Sequence, residues 1–185
     1  MPTIFSHAVF ATVIGRAFEP RILSLRFWVL TATCAILPDI DAIGFPLGIR
    51  YNSLFGHRGL THSIVFAVFT GVMVGSMAFR NQNIGIKTRV LILYFSLVTL
   101  SHPLLDTLTN GGLGVALLAP FSGKRYFAPW RPIEVTPLGL EFFSAQGLAV
   151  LLGEITWIWI PSLLVLLLAV MIRRLRTNRE SSTEN

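Results

Sequence analysis

Residues 147–172 read GLAVLLGEITWIWIPSLLVLLLAVMI, and this stretch decides the fold class. A helix needs about 20 predominantly apolar residues to cross a bilayer, and the run is longer than that. Four further apolar segments precede it: 4–18, 22–37, 61–79 and 90–108. By length the last three of the five are sufficient, and the first two fall a little short. Hydrophobic residues make up 53% of the 185-residue chain and charged residues 13%. A soluble domain carries about 25% charged residues. The expected fold is therefore all-α: a membrane-embedded bundle of about five apolar helices, forming one domain over residues 1–176. Residues 177–185 are polar and read as a disordered tail.

The formal net charge is +6. In a soluble protein that charge would suggest nucleic acid; beside apolar spans it reads as orientation by the positive-inside rule. Arg16, Arg21 and Arg26 cluster at the first hairpin, whose turn is Glu19-Pro20-Arg21. Arg80, Lys87 and Arg89 separate segments three and four, and Arg173, Arg174, Arg176 and Arg179 follow segment five. Five alternating helices place all ten of these cations on the cytoplasmic side, out of 15 Lys and Arg. The N-terminus is then outside, the C-terminus inside, and the long loops 39–60 and 109–146 face out. The second of these loops is rich in Gly and Pro, and its length favours a functional role. No cleavable signal peptide is evident, so the first segment is expected to persist in the mature protein. The lone cysteine, Cys34, excludes an intramolecular disulfide and a CxxC zinc knuckle.

The chain has four histidines, His7, His57, His62 and His102, and three aspartates, Asp39, Asp41 and Asp106. The topology above uses only Lys and Arg, yet it gathers all seven near the outer ends of the spans. Ionisable groups at membrane depth are costly and call for a partner or a function. Imidazole nitrogen with carboxylate oxygen suits zinc, with manganese or iron as alternatives. His102 and Asp106 in SHPLLD stand at i, i+4 on one helix face, with Pro103 marking a kink or local start. In GHRGLTHS, glycines flank the His57–Arg58 pair, and Thr61 is the expected cap that puts His62 in the first turn of segment three. Asp39 and Asp41 in LPDID point the same way if the stretch is extended. One could then bridge two ions while the other ligates or orients a histidine. Seven candidate ligands exceed one tetrahedral ion, so two ions use them better.

LPDID, GHRGLTHS, SHPLLDTLTNGG and PFSGKRYFAPWRPIEVTPLG, in that order over about residues 1–172, resemble the YdjM-like family of inner-membrane metal-dependent hydrolases. That family is similar in motif logic to the zinc-dependent phospholipase C and single-strand nuclease superfamily. The HxxxD motif of those enzymes corresponds here to His102 and Asp106; their HxxxE segment is missing, and with it the basis for a third ion. The family is also described as LexA-associated, but nothing in the sequence offers a surface for a soluble repressor, and no protein partner is implied. The resemblance implies hydrolysis, with a membrane lipid or lipid-linked phosphoester as the expected substrate. Asp39 or Asp41 would accept the proton of water. Arg58, Lys124, Arg125 and Arg131 are the candidates for gripping phosphate, with Arg58 also at the reacting centre. Tyr126, Phe127 and Trp130 are expected to seat the loop in the membrane interface. The rival readings are a hydrolase of an amide, ester or diphosphate, and a membrane protein that binds or transports metal without chemistry.

Overall fold

The computed structural model describes residues 1–18, 24–80, 86–137 and 139–183. The Glu19-Pro20-Arg21 hairpin lies outside them. Two helices, α1 (Ile4–Phe18) and α2 (Leu25–Ile36), open the chain, and Ser24 caps α2 by accepting from the Phe27 N–H. Pro38 then starts a 3-10 helix, Leu37–Gly44, where its missing N–H costs nothing. After an irregular loop and a short 3-10 turn, Leu60–His62, comes α3 (Ile64–Met77), followed by α4 (Thr88–Thr107). The loop 108–144 carries two isolated bridges, Thr109 with Ile133 and Val115 with Tyr126. Finally α5 (Ala145–Glu154), a π-helical turn (Ile155–Trp159) and α6 (Ile160–Thr183) form one rod.

Among the described residues the architecture is thus all-helical, with five helical rods. Leu25–Gly44, Thr88–Thr107 and Ala145–Arg176 are long and apolar enough to cross a membrane; α1 and α3 are shorter. This redistributes the lengths read from sequence. The second segment gains reach because the 3-10 turn continues past Pro38. The third loses it because the helix starts at Ser63, whose hydroxyl accepts from the Phe66 N–H. Thr61 does not cap α3; its hydroxyl donates to Asp41 instead. Helical geometry also continues past Arg176 to Thr183, into residues that composition alone reads as disordered.

Helices α1, α2 and α4 share an aromatic core. Phe27 stacks on Tyr94 at 4.9 Å and packs on Phe79 and Phe95, with Cys34, Ala35 and Val98 closing the layer. A second apolar group, Leu105, Ile133 and Ile158, joins α4, the long loop and the final rod. Most of α6 turns its Leu and Val side chains outward, as a lipid-facing span does. The alternating helices bring the start of α1, the end of α2, the start of α3 and the end of α4 together. Arg16 over Trp28, Arg26 over Phe79 and Arg173 bonded to the Ala17 carbonyl mark the opposite end.

Candidate metal centre

The first ligand-bearing turn is LPDID. In a 3-10 helix three residues make one turn, so positions i and i+2 diverge. Asp39 and Asp41 therefore point differently, not the same way as in an extended strand, and meet opposite nitrogens of His62. Asp39 Oδ1 lies 3.5 Å from His62 Nε2 and 3.3 Å from His102 Nε2. Asp41 faces away from that point. Its Oδ1 takes the His57 Nδ1 at 2.7 Å, and its Oδ2 accepts from Thr61 Oγ1 at 2.6 Å and the Arg58 N–H at 3.1 Å. The His62 Nδ1 also lies 3.0 Å from Asp41 Oδ2.

Loop GHRG is held by close backbone approach. A Cβ on Gly56 would stand 2.1 Å from the Arg50 carbonyl oxygen, and one on Gly59 2.3 Å from that of Leu54. Between them Arg58 adopts φ 60°, a conformation uncommon for residues with a Cβ. The reward is a fully buried guanidinium. Its Nε lies 2.9 Å from Asp106 Oδ2, its Nη1 donates to the Gly111 carbonyl at 3.0 Å, and its Nη2 donates to Thr109 Oγ1 at 3.0 Å.

From α4, His102 and Asp106 face inward from successive turns although Pro103 sits within the helix. The His102 Nδ1–H donates to the Ala35 carbonyl at 2.8 Å, leaving Nε2 aimed at Asp39. Asp106 Oδ2 lies 3.6 Å from His62 Nε2, while its Oδ1 lies 3.6 Å from His7 Nε2. His7 comes from α1 and stacks on His102, ring centroids 3.7 Å apart.

His7, His62, His102 and Asp106 are wholly or almost wholly buried. Among the described residues, His7 Nε2, His62 Nε2, His102 Nε2 and both oxygens of Asp39 make no hydrogen bond, and the Asp106 oxygens have only the ion pair of Oδ2 with Arg58. Separations of 3.3–3.6 Å are long for N–H···O bonds, which centre near about 2.9–3.0 Å. They match the edge of a tetrahedron of ligands about 2.0–2.1 Å from a central ion, which is about 3.3–3.4 Å. Two triads could hold ions: His7, His102 and Asp106, and Asp39, His57 and His62. His57 enters the second with its Nδ1 already against Asp41, so its tie to that triad is the looser one. Burial pulls the His62 pKa down, but Asp106, Asp39 and Asp41 outweigh it and hold the ring's pKa up near 10.

Beside the cluster is a cavity of about 170 Å³ lined by His57, Arg58, Tyr51, Phe45, Gly111 and Gly112, among others. Burial raises the Tyr51 phenol. The other sequence-predicted cations stand apart from the inward-facing atoms. Arg125 clamps the loops by donating to the carbonyls of Tyr51, His57, Arg58 and Gly114, and burial lowers its pKa. Lys124 lies over the Tyr126 ring and Arg131 over the Phe127 ring. Trp130 packs edge-on against Trp157. The apolar reading of 147–172 passed over Glu154, which is fully buried. Its signal was simple: a lone carboxylate inside an apolar run.

The family profile described as YdjM inner membrane protein matches residues 1–178. Inner membrane protein YbcI of Escherichia coli (strain K12) is 38% identical over 167 residues, covering 90% of this chain and 95% of that protein. No solved structure matches the chain.

Proposed function

The chain belongs to the YdjM inner membrane protein family, and from that premise we propose that it is an inner-membrane, metal-dependent hydrolase acting on a phosphoester in a lipid or lipid-linked head group. One observation carries the reading: buried nitrogen and carboxylate lone pairs converge without hydrogen bonds at ligand-edge spacing. Desolvated carboxylates and imidazoles arranged this way are costly unless a cation shares them. His7, Asp39, His62, His102 and Asp106 would hold the ions. Two groups of donors, one of His7, His102 and Asp106 and one of Asp39, His57 and His62, would hold one ion each. The mixed nitrogen and oxygen donors favour zinc, with manganese and iron next. When bound, such an ion acidifies water and offsets charge on a phosphoryl group.

The chain's own residues supply the rest. Asp39, with an Oδ2 free of any hydrogen bond, is the group placed to accept a proton from water. Asp41 orients His62 and His57 through their Nδ1 atoms. Arg58 retains one uncommitted N–H on each Nη and lines the cavity, where its planar fork suits two phosphate oxygens. Lys124, Arg125 and Arg131 add positive charge around the same loop, which favours approach of an anionic head group. A cavity of this size admits a small polar head and leaves acyl chains outside. The cluster also sits at one end of the helices, whereas transporters place their sites near the bilayer midplane; this supports hydrolysis over transport.

Two measurements test the proposal. Purified wild-type chain should carry about two divalent ions, and His102→Ala should lose at least one while remaining in the membrane. Metal-free wild type with a normal fold would remove the central claim. Lipid profiles of cells with wild type or His62→Ala should then differ in one head-group class; identical profiles would remove the lipid substrate.

A further inference from the structure

Three of the four histidine rings are aimed by a partner at Nδ1. Asp41 holds His57 and His62, and the Ala35 carbonyl holds His102. Among the described residues His7 has no such partner, and neither of its nitrogens makes a hydrogen bond. Its ring only stacks on His102 and faces Asp106. Where it points is therefore decided by where the first turn of α1 lies.

That turn is fixed by Glu154, from the far end of the sequence. Glu154 Oε1 accepts the Thr3 N–H at 2.6 Å, and its Oε2 accepts Thr3 Oγ1 and Ser6 Oγ, each at 2.5 Å. Thr136 Oγ1 lies 3.4 Å from Oε1. Thr3 in turn receives the N–H groups of Ser6 and His7 at its carbonyl, so it is the residue that starts the helix. Each of these groups can donate, and the carboxylate accepts from them.

The π-helical turn Ile155–Trp159 makes this grip two-pronged. Trp159 Nε1 donates to the same Ser6 hydroxyl at 2.8 Å. Residues five apart on an α-helix lie about 140° away from each other. An i→i+5 π turn brings them back onto one face. Glu154 and Trp159 can thus both reach Ser6.

We infer that Glu154 is the positioning residue for His7, holding it in the metal centre through Thr3 and Ser6. This rests on the metal-site reading above. The test is a double-mutant cycle read by cobalt(II) titration of the purified full chain in detergent, using affinity and the visible ligand-field spectrum. Glu154→Gln should weaken cobalt binding about 10–100-fold and shift the spectrum in the same sense as His7→Ala. Adding Glu154→Gln to His7→Ala should cost nothing further, because the ring it positions is gone. Unchanged affinity in the single variant, or additive losses in the double, would overturn the inference while leaving the metal site standing. Wild type that binds no cobalt would overturn both. If Glu154→Gln does not fold, Ser6→Ala removes one donor to the same carboxylate and takes its place in the cycle, with the same non-additivity expected and additivity decisive against it.

Discussion

Asp41 and Asp39 are two residues apart, equally acidic, and placed by the fold in different environments. Asp39 keeps its oxygens free of hydrogen bonds, whereas Asp41 is surrounded by Thr61, His57, His62 and the Arg58 N–H. In Asp41→Asn the amide NH2 replaces one acceptor oxygen and meets donors. His62 then loses its fixed tautomer, and divalent-ion affinity should fall about 10–100-fold without loss of Asp39 or His102 from the centre. Competition titration with a chromogenic chelator measures this; affinity equal to wild type would mean that Asp41 does not orient His62. That these seven residues gather was legible because the chain has no other His or Asp. Their pairing was not. It depends on Pro38 launching a 3-10 turn, and alternation in an extended strand gives a different geometry.

At the scale of elements, the pairing of α3 with α4 depends on two glycines, one helical turn apart. A Cβ on Gly71 would lie 2.5 Å from the Ser96 nitrogen, and one on Gly75 2.5 Å from the Ile92 nitrogen. Lipid tails are as apolar as Leu, so helices in a bilayer gain from close packing and not from leaving the solvent. Gly75→Leu must push α4 away. It should destabilise the fold by about 1–3 kcal/mol, seen as a lower thermal midpoint in detergent. Gly153→Ala is the control, since a Cβ there meets nothing within 4 Å, and its midpoint should stay near wild type. Equal behaviour of the two variants would refute close α3–α4 packing. Apolar run lengths located all five rods but started α3 at Thr61, whereas Ser63, the better capping type, caps it. The choice between them is made by Asp41, which takes the Thr61 hydroxyl.

At the scale of the molecule, the His and Asp cluster and the contacts of Arg16, Arg26 and Arg173 sit at opposite ends of the bundle. The count of cations alone anticipated that separation, since the charge bias and the ligand positions are independent features of the sequence. Removing ions should leave the buried carboxylates and imidazoles at one end short of positive charge, with the Arg58 guanidinium beside Asp106 as what remains. Chelation is thus expected to lower the thermal midpoint and zinc to restore it; a midpoint indifferent to chelator would mean that no ion stabilises the cluster.

The same separation predicts which way the molecule faces. If the cations are held in the cytoplasm, the centre and the loop 108–144 would lie on the other side. Cys34 is buried, so an introduced cysteine is the only accessible thiol. Lys124→Cys should react with a membrane-impermeant maleimide on intact spheroplasts, whereas Arg174→Cys should react only after permeabilisation. The reverse pattern would turn the protein over and place its substrate on the cytoplasmic leaflet. The hydrolase reading survives that reversal, because the cluster's geometry does not depend on the leaflet it faces. What would change is the pool of head groups the cavity beside Arg58 can sample, so the labelling experiment decides which leaflet's lipids to analyse.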